Sequence, residues 1–336
     1  MSDNGQLRST LQAIYRRQRP PELRSFSRVI GRASAVLSRE PVDSRPAAPS
    51  GYPGGLVYLY PELPTLIVPD LHARMPLVLA LLGYKPGGLD VLALLGEKQI
   101  QVVAVGDGVH AEGRAMRRWL AAFDEFQGGY RQHRAIDAEL RESFGTMEMV
   151  MELKCAFPRY FHFLKGNHDN ITNEEGEGNL PFGKFVAEGE MVERYVRKFY
   201  GPELLNSYSR LEKQLPLLAA GRGFLISHAE PRAIFPATHI IDYRRHPEVV
   251  AGLTWTDNGA AVDGSVVGML DALLGDERSG AVDDRYYFGG HRPVSGRWGE
   301  RAGGSYIQLH NPERMQVAFV PNDRPFEPER DIVRLD

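Results

Sequence analysis

The sequence predicts an α/β fold, on three observations. Short apolar runs with strand character alternate with longer stretches whose apolar residues recur at a spacing near 3.6. Those short runs repeatedly end in Asp, His or Asn, several of them beside glycine. The chain is also long enough for the fold. Its 336 residues, 43% hydrophobic and 25% charged, make one large domain or two small ones with a substantial core.

The elements follow in order. Residues 1–53 read as an extension and linker. Seven arginines stand in residues 1–32 against Asp3 and Glu22, and a Pro/Ser/Gly-rich stretch follows. This basic arm either packs on its own domain or meets an acidic protein partner. Residues 56–60, 65–69, 101–105 and 160–164 read as strands, and so do 224–227, 286–288, 306–309 and 316–320. Residues 76–82, 114–126, 132–156, 184–199 and 203–214 read as helices, with Gly201-Pro202 as a break. The turn from His310 to Arg314 predicts a hairpin between the last two strands, with His310 at the surface. The main domain is expected over 54–322, with 323–336 as a tail.

Composition narrows the function. A net charge of −3 gives no global field for nucleic acid. One cysteine, Cys155, excludes a disulfide scaffold and a thiolate zinc site. The opening residues lack an apolar signal segment, and no apolar run reaches the roughly 18 residues of a membrane span, so a cytoplasmic protein is expected.

The chemistry lies just after the strands. Residues 65–68 run into Asp70-Leu71-His72, and 101–105 into Gly106-Asp107. Residues 160–164 run into Gly166-Asn167-His168-Asp169, 224–227 into His228, and 286–288 into Gly290-His291. Ligands of α/β folds collect at the carboxyl ends of strands. Asp70, His72, Asp107, Asn167, His228 and His291 offer two carboxylates, three imidazoles and an amide oxygen. Six such nitrogen and oxygen donors suit two divalent metals sharing one carboxylate.

This order of motifs resembles the calcineurin-like metallophosphoesterase superfamily, closest to its phosphoprotein-phosphatase-type branch and its bacterial members. Residues 157–169, 211–231 and 253–257, together with Gly290-His291-Arg292-Pro293, carry the second likeness. The resemblance implies two packed mixed β-sheets flanked by helices, with the site at one edge. It implies one metal on Asp70, His72 and Asp107, and a second on Asp107, Asn167, His228 and His291. Manganese is the first choice, with iron or zinc next. Metal-activated hydroxide then attacks a phosphate ester or anhydride, and His168 protonates the leaving group. Asp169 is one candidate to orient His168, and Arg74, Arg114 and Arg292 are candidates to grip phosphate. The sequence departs from the pattern at Pro69 and at Gly-Asp-Gly-Val-His-Ala-Glu-Gly. There His110 and Ala111 replace the second aspartate and the phosphate-binding arginine. This altered shell leans towards a small-molecule or nucleotide phosphate. The alternatives are a serine/threonine phosphoprotein phosphatase and an inactive metal-binding scaffold.

Overall fold

Each short apolar run forms a strand, and eleven strands sort into two sheets in the computed structural model, which describes residues 3–279 and 285–335. In chain order they are β1 (Leu56–Tyr58), β2 (Thr65–Val68), β3 (Gln101–Ala104), β4 (Phe161–Phe163), β5 (Leu218–Ala220), β6 (Phe224–Ser227), β7 (Tyr286–Gly289), β8 (Gly299–Arg301), β9 (Tyr306–Gln308), β10 (Gln316–Val320) and β11 (Ile332–Arg334). One sheet has the order β1-β5-β6-β7-β9-β8, the other β11-β10-β2-β3-β4. The helices are α1 (Asp3–Arg16), α2 (Leu23–Leu37), α3 (Met75–Gly83), α4 (Val91–Gly96), α5 (Met116–Gln127), α6 (Arg134–Ala156), α7 (Glu188–Phe199), α8 (Pro202–Glu212), α9 (Ala237–Ile241), α10 (Pro247–Thr254), α11 (Ser265–Ser279) and α12 (Pro328–Asp331).

The alternation of side chains along a strand builds the layers. In β2, Ile67 faces the other sheet, while Leu66 and Val68 face the helices. In β6, Phe224 and Ile226 join the layer between the sheets, and Leu225 faces the opposite way. The sheets therefore share a dry interface of Val57, Ile67, Val103, Ile226, Phe288 and Ile307. Helices α1 to α8 cover one outer face, and α9 to α11 cover the other. This is the expected pair of mixed sheets flanked by helices.

Three expectations need correction. The N-terminal segment packs on its own domain, one of the two outcomes expected for it, but does so inside the main core rather than as an extension to it. Apart from residues 1 and 2, outside the described residues, it forms α1 and α2, and Leu11, Ile14, Phe26, Val29, Ile30 and Leu37 enter the main core. Five of its seven arginines lie on these amphipathic helices, with Arg17 and Arg19 in the connection between them, and the proline-rich stretch that follows is anchored by buried Arg45, which donates to the Gly54 and Gln214 carbonyls. The predicted C-terminal tail carries β11, whose Ile332 pairs with Ala318 of β10; residue 336 lies outside the described residues. Strands β9 and β10 do not form a hairpin. β9 runs parallel to β7 and β10 runs antiparallel to β2, so the connecting turn crosses from one sheet to the other.

Phe26 tests the place of α2. Its ring is fully buried, stacked on Phe144 at 4.9 Å and against Tyr208 at 5.8 Å. Phe26→Ala should lower the unfolding free energy by about 3–5 kcal/mol in denaturant titration. An unchanged midpoint would place these helices outside the cooperative core.

Candidate metal centre

Parallel pairing aligns the strand ends. β2, β3 and β4 run parallel in one sheet, and β6, β7 and β9 in the other. Their carboxyl ends open at the same edge of the sandwich and present Asp70, Asp107, Asn167, His228, His291 and His310. The loops are wound tightly to do so. His72, Asp107, His110 and His291 take positive φ values of 39°, 51°, 68° and 64°, a region that L-residues usually avoid. Two glycines give the ligands room. A Cβ on Gly290 would meet Asp70 Oδ2 at 2.0 Å, and one on Gly166 would meet Asp107 Oδ1 at 2.1 Å.

Hydrogen bonds to carbonyls set the histidine tautomers. His72 Nδ1–H donates to the His110 carbonyl at 2.9 Å. Its Nε2 then presents a lone pair 3.5 Å from Asp107 Oδ2. His228 Nδ1–H donates to the Val105 carbonyl at 3.1 Å, which turns Nε2 towards Asn167 Oδ1 at 2.8 Å and Asp107 Oδ2 at 3.5 Å. His291 Nδ1 lies 3.0 Å from the same Asn167 oxygen, and its Nε2 has no partner. Asp107 Oδ2 also has no hydrogen bond, although it is buried. Burial holds the His72 and His228 rings well below their usual pKa, and His291 at about 4, with neighbouring Arg292 adding to the effect. Burial likewise pushes the Asp107 carboxyl well up, with Asp70 and Asp169 beside it reinforcing the rise.

Neutral imidazole nitrogens facing carboxylate and amide oxygens are acceptors facing acceptors. Such an arrangement is unfavourable unless a cation lies between them. Asp70, His72 and Asp107 bring one donor atom each within 4.8 Å of one another. The donor set, its unpartnered atoms and its burial therefore fit divalent metals.

The remaining predicted residues fall in different places. His168 reaches the site, with Nε2 3.9 Å from Asp107 Oδ2, and its ring stacks on His110 at 4.5 Å. Asp169 does not face His168. Its carboxylate accepts from the backbone N–H groups of Gly166 at 2.7 Å, Asp107 at 3.1 Å and Gly108 at 3.4 Å, so it ties the second and third motif loops together. Arg74 is buried, with its guanidinium donating to the Asp70, Leu71, Asn311 and Arg314 carbonyls. It braces the turn that crosses between the sheets. Arg114 pairs with Glu142 at 2.7 Å and Arg292 pairs with Asp257, and both stay partly exposed at the mouth. A cavity of about 280 Å³ beside His72 is lined by Arg74, Glu112, Arg114 and Pro312.

Sequence reasoning missed Glu112 and His310. His310 is fully buried rather than at the surface, with Nε2 2.8 Å from Glu112 Oε2. It follows β9 as His228 follows β6, so the strand-end rule would have found it without the mistaken hairpin. Burial opposes ionisation of Glu112, but His72, His310 and Lys184 around it hold its carboxyl well below the usual range. Glu139 of α6 accepts from the Ala111 N–H at 2.9 Å and from Ser143 Oγ at 3.0 Å, and Ser143 Oγ accepts from the His110 N–H at 3.1 Å. Helix α6 thus holds the divergent stretch of the second motif.

No protein-family model and no curated protein matches the chain. Among solved structures, the protein serine/threonine phosphatase from Saccharomyces cerevisiae with similarity to human phosphatase PP5 aligns with 86% of this chain and 77% of its own. The TM-score is 0.51 and 14% of residues are identical. A cold-active protein tyrosine phosphatase aligns over 87% and 79% at TM-score 0.45 with 12% identity. The cold-active protein-tyrosine phosphatase of a psychrophile Shewanella sp. aligns over 84% and 82% at TM-score 0.41 with 13% identity. The yeast likeness is one of fold, and the other two are too distant to add to it. Among the described residues, no helix is long and apolar enough to cross a membrane.

The role of Asp169 can be measured. Hydrogen bonds to an ionised partner contribute about 1.5–3 kcal/mol each, and an isosteric amide cannot accept all three. Asp169→Asn should lower the unfolding free energy by about 2–4 kcal/mol in denaturant titration and weaken divalent-metal binding with it. Unchanged stability would mean that the loops hold themselves.

Proposed function

We propose that this chain is a phosphoesterase that hydrolyses phosphate esters or anhydrides with two divalent cations. Small phosphorylated molecules, such as nucleotides, are the proposed substrates. The observation that carries the reading is the set of carbonyl-locked histidines whose lone pairs face Asp107 and Asn167. Asp70, His72 and Asp107 would hold one cation. Asp107, Asn167, His228 and His291 would hold the other. Imidazole-rich sites of this kind suit manganese first, then iron or zinc. Bound there, the cations neutralise phosphate oxygens and bring the pKa of a water molecule towards neutrality.

The chain's own residues supply the rest. Asp107 would serve both cations, and the backbone N–H of His168, bonded to its Oδ1 at 2.9 Å, fixes the carboxylate's rotation. His168 stands at the open side of the site. Burial, with His110 next to it, keeps its ring well below the usual histidine pKa and hence neutral in the free protein, so its role as acid requires the negative charge of a phosphate beside it to raise that value and bring the proton on. Arg114 and Arg292, exposed at the mouth though paired with Glu142 and Asp257, are better placed to meet a phosphate than Arg74, which is buried and engaged on four carbonyls. The cavity of about 280 Å³ beside His72, with Arg114 in its lining, is just below the size of ordinary ligand pockets and would take a small phosphate group.

Two experiments test this. Purified protein given manganese should hydrolyse a generic aryl phosphate. Asp107→Asn should lose bound metal and turnover together, because an amide brings no charge to hold two cations. Metal analysis showing both ions retained at near-normal rate would remove the bridging role. His168→Asn should slow an alkyl phosphate by roughly 10²–10⁴-fold. A nitrophenyl phosphate, whose leaving group needs no proton, should slow far less. Equal losses with metal content unchanged would leave His168 as a positioning residue.

A further inference from the structure

Two buried triads meet at the first half of the site. Asp70, His72 and Asp107 form one, and His72, Glu112 and His310 form the other, each with donor atoms within 4.8 Å. They share His72, whose Nδ1 is taken by the His110 carbonyl. One lone pair remains on Nε2, 3.5 Å from Asp107 Oδ2 and 3.6 Å from Glu112 Oε1. A single lone pair serves a single cation, so the two triads cannot hold separate cations at the same time.

His310 defines that site further. A carboxylate only accepts, so the 2.8 Å contact with Glu112 Oε2 requires the proton on His310 Nε2. Nδ1 is then the free nitrogen. It is wholly buried, has no hydrogen bond, and lies 3.4 Å from Asp70 Oδ2. A carboxylate on the far nitrogen that fixes the tautomer and orientation of an imidazole is the usual support of a metal-bound histidine. We propose that His310 binds, through Nδ1, the same cation as Asp70, His72 and Asp107, and that Glu112 is the positioning residue that fixes its tautomer. The inference rests on the two-cation reading above. It adds a ligand from β9, a strand outside the motif series, and makes this half of the site richer in nitrogen than the motifs imply.

The test uses the full chain and measures metal directly. Zinc is titrated into the wild type, His310→Gln and Glu112→Gln against a chromophoric chelator, with circular dichroism as a check of folding. The wild type should bind two ions. His310→Gln should keep one tight ion and bind the other at least 10-fold more weakly, and Glu112→Gln should weaken that same ion about 10-fold. Should either variant fold poorly, ¹⁵N-histidine NMR of the wild type decides, because zinc must move the His310 Nδ1 resonance to the metal-bound range. Two ions at wild-type affinity in folded His310→Gln, or an unmoved Nδ1, overturns the inference and leaves the two-cation reading intact. A wild type that binds no divalent cation overturns both.

Discussion

Two carboxylates with no lysine or arginine on them are the constraint around which this molecule is arranged. Asp70 and Asp107 are buried, and among the described residues their side chains contact only histidines and backbone N–H groups. Leaving ions in such a place costs several kcal/mol each unless something positive compensates. No protein cation bonds these carboxylates directly: Arg74, the nearest guanidinium in sequence, acts on Asp70 only through space and donates its hydrogen bonds to backbone carbonyls. Burial favours the neutral form of the His72 and His228 rings beside the two carboxylates. It also disfavours negative charge on both carboxyls, so their oxygens and the imidazole lone pairs are left for a positive partner from outside the chain.

The walls themselves are built with charged groups of another kind. Asp169 gathers three N–H groups from two loops, and Glu139 takes the Ala111 N–H while bound to Arg118 and Ser143. These carboxylates hold residues at positive φ in a geometry that their own preferences oppose. The chain thus separates two uses of acid: one set shapes the backbone, and the other is kept bare.

Much of this was legible in the sequence because parallel strands betray themselves twice, by their apolar runs and by the polar residues at their carboxyl ends. Asp70, Asp107, Asn167, His228 and His291 all stand where the strand ends placed them. Glu112 was not legible, since a glutamate after a motif looks like any surface acid until His310 and Lys184 close on it. The role of Asp169 escaped for a different reason: adjacency to His168 in sequence suggested contact, whereas their side chains diverge. Arg74 was misread by the same logic of proximity. The N-terminal helices were hidden by their arginines, because charge on the outer side of an amphipathic helix dominates the composition while Phe26, Val29, Ile30 and Ala33 make the packing.

Those helices also bear on how the chain reaches this state during synthesis. Arg17, just after α1, pairs with Glu148, 131 residues later, and Ser34 of α2 bonds Gln214, 180 residues later. At about 5–20 residues per second on the ribosome, α1 and α2 are out for roughly ten seconds or more before α6 and α8 exist to receive them. For much of that interval α1 has only α3 and α4 to pack on, and α2 lacks both of its main partners, α6 and α8. The segment made first is therefore one that waits for its main packing partners until more than half of the chain has been made.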